Sequence, residues 1–159
     1  MDFVPVATLF SSVHITDDLT AGESFYLAEV RRIGALAAAL ADHSTALGVI
    51  DEPFRGTNVH DAVEATVAII TRLAAHPAAL IFVASHLGEV VPTIATDPRI
   101  ALLSFAADVT GDQPRFDYRV RRGVNQQRLG MTLLRQEGVL DRLDRAVART
   151  ATDRGRTDP

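Results

Sequence analysis

Two carboxylates stand side by side at Asp51-Glu52, directly after the apolar run Ala46-Leu47-Gly48-Val49-Ile50. A buried parallel strand ending in an acidic pair places both groups at the carboxyl edge of a sheet, where open α/β folds bind ligands. There the first carboxylate can hold Mg²⁺ through its water shell. The second can orient or deprotonate the water that attacks a phosphate. An acidic pair also begins many ordinary loops, so its meaning depends on its neighbours. His86 closes the next apolar run, Ala79-Leu80-Ile81-Phe82-Val83-Ala84, and would stand beside the same crevice, able to contact a γ-phosphate. A lone histidine at a strand end more commonly serves the loop itself.

Two further segments carry polar groups in suggestive places. Thr20-Ala21-Gly22-Glu23-Ser24 opens a long helical stretch. A helix N-terminus offers unpaired N–H groups and partial positive charge to a phosphate, and Gly22 would let the backbone approach closely. Simple capping by Thr20 or Ser24 uses the same geometry. Phe54-Arg55-Gly56-Thr57-Asn58 follows the carboxylates directly. Gly56 and Asn58 tolerate unusual backbone angles, and Arg55 could reach across a subunit boundary.

The elements that must position these residues follow from periodicity. Val4 to Ile15 reads as extended. From about Glu23 to Asp42 an apolar face recurs through Phe25, Leu27, Ala28, Val30, Ile33, Leu36, Ala37 and Leu40 at helical spacing. Ala46 to Ile50 reads as a buried parallel strand. Asp61 is the expected N-cap of a second helix reaching about His76, with Val63, Val67, Ile69, Ile70 and Leu73 on or near its buried side. Pro77 stops it, and Ala79 to Ala84 forms a second buried strand. Strand, helix, strand with short joints is a parallel crossover, expected to be right-handed. Ile100 to Ala106 and Arg115 to Arg121 read as a hairpin at the sheet edge, turning through Asp108 to Pro114. Gln127 to Gln136 and Val139 to Ala148 read as helices around Gly138, and Arg149 to Pro159 as a polar, frayed end. One α/β domain is expected, with no internal repeat.

Composition narrows the chemistry. The 159 residues are 47% hydrophobic and 23% charged, an ordinary globular balance. No apolar run approaches the roughly 18 residues of a membrane span. Met1-Asp2-Phe3-Val4-Pro5 lacks the features of a signal peptide, so a cytoplasmic protein without membrane contact is expected. The absence of cysteine removes disulfides and thiolate metal sites. Net charge is −4, and all 16 basic residues are arginine. A mechanism that needs a lysine ammonium, such as a P-loop or a Schiff base, therefore has no lysine in this chain to use.

Taken in order, these segments resemble an ABC-type ATPase, and specifically the ATPase domain of the MutS DNA mismatch-repair family. Asp17-Asp18-Leu19-Thr20-Ala21-Gly22-Glu23-Ser24-Phe25 is similar to the MutS signature loop and its helix. Ile50-Asp51-Glu52 resembles Walker B with its catalytic glutamate. Phe54-Arg55-Gly56-Thr57-Asn58 resembles the Gly-Arg-Gly-Thr-Ser segment, and Ala84-Ser85-His86 the Ala-Thr-His switch. Tyr118 to Leu140 looks like the closing strand and helix. The departures are Glu23, where an arginine is usual, and Pro53-Phe54, where Ile-Gly is usual. They suggest a divergent MutS-like branch.

The resemblance implies a partial P-loop NTPase fold, a parallel sheet flanked by helices with an antiparallel edge hairpin. Residues 1–148 would be the C-terminal part of the ATPase domain and 149–159 a polar tail. The P-loop would lie upstream, making this chain a fragment, a truncated product or a degenerate copy. ATP and Mg²⁺ are the implied ligands. Asp51 would support the metal, Glu52 would activate water and His86 would sense the γ-phosphate. Thr20, Gly22 and Ser24 would complete the site of a second head, in a homodimer or with a full-length MutS-like protein. Arg55, Thr57 and Asn58 would couple the two heads. DNA would be met through domains absent here, although Arg115, Arg119, Arg121, Arg122 and Arg128 could touch phosphates or simply guard an edge strand. One alternative is a catalytically inactive module lending its signature loop in trans. Another is a Ser24-Asp51-His86 hydrolase, although the second glycine of a nucleophile elbow is missing.

Overall fold

The computed structural model describes residues 6–13, 25–42, 45–111, 114–125, 127 and 129–154. The chain divides into two compact units, Met1–Ile100 and Ala101–Pro159.

The first unit is built on three parallel strands, β1 (Thr8–Ser12), β2 (Ala46–Asp51) and β3 (Ala79–Ala84), in that spatial order. Helix α1 (Phe25–Ala41) lies between β1 and β2 in the chain, and α2 (Val59–Ala75) between β2 and β3. Register is unbroken across the sheet: Leu9 pairs with Leu47 and Leu47 with Leu80, and two residues on Ser11, Val49 and Phe82 align. Strand side chains alternate between faces. The other set, Phe10, Ala46, Ile50, Ala79, Ile81 and Val83, meets Ile33, Leu36 and Leu40 of α1 and Leu73 of α2. Leu36, Leu40, Ala46 and Ile50 are buried there. Fully burying a leucine or isoleucine contributes about 1.5–3 kcal/mol, so this helix-covered face is where the unit's stability is concentrated. Gly48 sits at its centre, where an added Cβ would meet Ile81 Cδ1 at 2.7 Å and the end of the Ile81 side chain would have to move.

Among the described residues, the opposite face is largely exposed. Leu9 is 78% exposed, Leu80 61% and Phe82 50%. Parallel sheets are normally covered on both faces, and the expectation that β2 and β3 are buried strands holds for one face only.

Helix α1 also turns differently from its apolar count. Leu27, Val30 and Ala37 point to solvent, while Tyr26, Glu29, Ile33, Leu36 and Leu40 form the inward stripe. That stripe runs at spacings of three and four, as one helix face must, and it includes a carboxylate. In α2 the fully buried positions are Ala62 and Thr66, with Val63, Val67, Ile69, Ile70 and Leu73 half-buried around them.

The N-cap of α2 is Asn58, three residues before Asp61. Its side chain accepts the Asp61 amide at 3.0 Å and donates to Asp61 Oδ2 at 2.6 Å. Asn58 wins because Val59 and His60 then complete the first turn and Asp61 lies where its charge favours the helix dipole. Asn58→Ala should lower stability by about 1 kcal/mol. Urea denaturation followed by far-UV circular dichroism measures this. After β3 a 3₁₀ turn (Gly88–Val90) runs into the short α3 (Val91–Ile94), an element the periodicity did not announce, and buries Val90 and Ile94.

The second unit contains the antiparallel pairing expected of a hairpin. Strand β4 (Leu103–Ser104) pairs with β7 (Arg121–Arg122), and β5 (Ala107–Asp108) with β6 (Arg115–Phe116). The described strands thus form three separate sheets, rather than one sheet with a hairpin added at its edge. Ala107 shows one reason. Its N–H donates to Gln127 Oε1 at 3.0 Å and its carbonyl accepts Gln127 Nε2 at 2.7 Å, so a side-chain amide occupies groups another strand would need. Gln127 therefore lies before α4 (Leu129–Gln136), not within it. Gly138, at φ 61°, ends α4 with its N–H on the Arg135 carbonyl at 2.9 Å. Helix α5 (Val139–Arg154) runs beyond the expected Ala148, since no glycine or proline interrupts it before Gly155.

Candidate functional site

β2 and β3 end together, with Asp51 opposite Ala84. The Glu52 N–H donates to the Ala84 carbonyl at 2.9 Å, so the ladder still fixes the first residue beyond β2. Glu52 then enters the left-handed region at φ 48°. Its Oε2 lies 2.5 Å from His86 Nδ1 and accepts the His86 backbone N–H at 3.4 Å. The His86 side chain remains 72% exposed, leaving most of the imidazole open to solvent beyond the strand ends. Asp51 is exposed at the same edge.

The described residues hold no group of three or more His, Asp or Glu side chains suited to a metal. Mg²⁺ does not need one. It keeps several waters and takes one or two carboxylates together with substrate phosphates. An exposed Asp51 fits that donor set.

The turn after Glu52 is strained and buried. Pro53 is enclosed, and Phe54 is 2% exposed at φ 62°. Left-handed backbone at a bulky residue costs about 1–3 kcal/mol and persists only when its surroundings hold it. Phe54 holds a backbone conformation that glycine adopts freely. Helix α1 provides the restraint. Glu29 Oε1 accepts the Phe54 N–H at 3.2 Å, and the Tyr26 ring lies 5.8 Å from the Phe54 ring at 54°. The chain then closes through the Thr57 N–H on the Phe54 carbonyl at 3.3 Å.

Sequence reasoning missed Glu29, and the signal was present: a carboxylate interrupting the stripe of Tyr26, Ile33, Leu36 and Leu40. Glu29 is 4% exposed, and its Oε2 has no hydrogen-bond partner among the described residues. Burial pushes its pKa up. The Phe54 amide, the Arg55 charge and the Gly56 amide oppose that shift without cancelling it. A carboxyl whose folded pKa is raised contributes stability that is fully present below its unfolded pKa and is lost as pH rises through the folded value. Stability should therefore decline over that window, and Glu29→Gln should flatten the decline. Denaturation midpoints across the carboxylate range measure both slopes.

The structure thus joins Asp51, Glu52 and His86 on two adjacent strand ends and leads from them into Arg55, Thr57 and Asn58. Arg55 is exposed, Thr57 half-buried, and Asn58 caps α2. Thr20, Gly22 and Ser24 lie outside the described residues, as does Arg128. His86 pairs with Glu52 rather than Asp51, which removes the Asp51–His86 link a Ser24-Asp51-His86 triad would need. Of the arginines considered for DNA, Arg121 is paired with Asp117, while Arg115, Arg119 and Arg122 are exposed. Among the described residues, no helix is long and apolar enough to cross a membrane.

Comparison with known proteins shows what the chain is similar to. The sequence matches MutS domain V over residues 1–152. The DNA mismatch repair protein MutS of Natronomonas pharaonis is 29% identical over 140 residues, which cover 86% of this chain and 16% of that protein. The chain therefore spans less than one-fifth of that relative's length. Since the match runs across the paired strand ends and through both units, the chain belongs to the MutS domain V family.

Proposed function

We propose that this chain is the hydrolytic side of a MutS-type ATPase head, in which ATP bound between two paired heads drives action on mismatched or structured DNA. The contact between Glu52 and His86 across the ends of β2 and β3 carries this reading. It puts a carboxylate and an exposed imidazole side by side, with Asp51 next in sequence. Asp51 would hold Mg²⁺, which neutralises phosphate charge when bound. Glu52 orients the attacking water and accepts its proton. The exposed edge of His86 meets the γ-phosphate and holds the Glu52 carboxylate in place. Thr20, Gly22 and Ser24 complete the site of the second head, and Arg55, Thr57 and Asn58 carry the state of one head to the other.

The lysine that grips the β- and γ-phosphates in a P-loop must come from other residues, because these 159 contain none. The exposed apolar side chains Leu9, Leu80 and Phe82 support the same division, since parallel sheets are normally covered on both faces. DNA is met through further domains, and the acidic net charge suits a part that does not itself grip the duplex. The setting is cytoplasmic.

The purified chain alone is expected to turn over ATP no faster than buffer, measured by phosphate release. Addition of a P-loop-bearing segment from a MutS-family relative should restore turnover. Full turnover by the chain alone would sink the reading.

A further inference from the structure

Glu29 stands apart from everything assigned above. It belongs to α1, its carboxyl group is buried, and it reaches out of its helix to the backbone of the turn that follows β2. That turn sets the direction of Glu52. Between Glu52 at φ 48° and Phe54 at φ 62° stands only Pro53, whose ring fixes its own φ. The backbone between the two residues therefore has little freedom. Whatever holds Phe54 in the left-handed region also holds Glu52, and through it the contact with His86. Phe54 is held from α1 by two groups, the Glu29 carboxylate on its N–H and the Tyr26 ring on its side chain.

We infer that Glu29 is a positioning residue: it ties helix α1 to the turn after β2 and thereby fixes the Glu52 carboxylate against His86. Its hydrogen bond to the Phe54 amide fits this role better than a packing role. A side chain kept only for volume would be apolar, because an unsatisfied buried oxygen is costly. The inference deepens the reading of Glu52 as the water-activating group and rests on it only for the catalytic consequence. A displacement of α1, the helix that follows Thr20, Gly22 and Ser24 in the chain, would be passed to Glu52 through the Glu29–Phe54 hydrogen bond and the Tyr26–Phe54 ring contact.

The test is nuclear magnetic resonance on the full 159-residue chain. In the unaltered protein, through-hydrogen-bond coupling should link the Phe54 amide nitrogen to the Glu29 carboxyl carbon, with the Phe54 amide protected from exchange at least tenfold over an exposed amide. Glu29→Leu, which fills the space without an acceptor, should lose that protection and shift the His86 ring signals to the positions seen in Glu52→Ala. Glu29→Gln keeps an acceptor oxygen and should restore both. Should Glu29→Leu fail to fold, the coupling in the unaltered chain still decides the matter. Absence of coupling and protection overturns the inference, as do unmoved His86 signals in a folded Glu29→Leu. A Gln variant that behaves like Leu overturns it too. If all these signals appear and Glu52→Gln leaves ATP turnover of a reconstituted head unchanged, the ATPase reading fails while the positioning role stands.

Discussion

Glu52→Gln should stop hydrolysis while leaving ATP bound, once the chain is joined to a P-loop-bearing segment of a MutS-family relative. The substitution is nearly isosteric, and a glutamine side chain can still hydrogen-bond His86 Nδ1, which lies 2.5 Å from Oε2. The Ala84 rung and the left-handed backbone at Glu52 belong to the main chain and should survive. Basicity alone is removed. A positioned general base contributes on the order of 10²–10⁴ in rate, so the single-turnover hydrolysis rate should fall by that factor with ATP affinity within about threefold of the parent. His86→Ala should cost less, because Glu52 keeps its charge and loses only a partner. Measured by rapid quench with labelled ATP, an unchanged rate in Glu52→Gln would remove Glu52 from the chemistry.

The strand-end part of this site could be read from the sequence because it depends on order and period. Apolar runs of five and six residues fix β2 and β3, and the residue after each run must emerge at the same sheet edge. Asp51, Glu52 and His86 therefore fell together in advance. What escaped is chemistry that depends on which side of a helix faces inward and on backbone angles. Leu27 and Val30 are as apolar as Leu36, yet they face solvent because the stripe through Leu36 and Leu40 is the one the sheet meets. That choice carries Glu29 inward. Counting apolar residues treats Glu29 as surface, whereas the geometry of i, i+3 and i+4 neighbours does not.

The exposed face of the sheet was hidden for a similar reason. An unbroken apolar run fits a strand covered on both sides, and Leu80 and Phe82 have the composition of buried residues. Their exposure depends on what packs against that face, which an apolar run by itself does not reveal. The position of the α2 cap, by contrast, was decided by competition between two good capping residues. Asn58 and Asp61 both suit an N-terminus, and they resolve it by bonding each other, Asn58 as cap and Asp61 inside the first turn.

The largest stability effect is expected at Phe54, and its pattern should be inverted from the usual one. Phe54→Ala removes a ring that is 2% exposed and lies against Tyr26, a loss of about 3–5 kcal/mol for a buried phenylalanine. Alanine must still occupy the left-handed backbone at φ 62°, at a cost of roughly 1–2 kcal/mol. Phe54→Gly loses the same ring but adopts that backbone freely. At an ordinary buried position glycine is the worse replacement, through its greater freedom in the unfolded chain. Here it should be the better one, by about 1 kcal/mol. The order unaltered, Gly, Ala in urea midpoints, followed on backbone amide signals of β2 and β3, would show that the turn carrying Glu52 keeps its left-handed backbone after the Phe54 ring is gone, held by the groups around it. Equal midpoints for Gly and Ala would mean that the turn relaxes once the ring is gone, and that the strain at Glu52 and Phe54 is a consequence of packing rather than a conformation built into the loop.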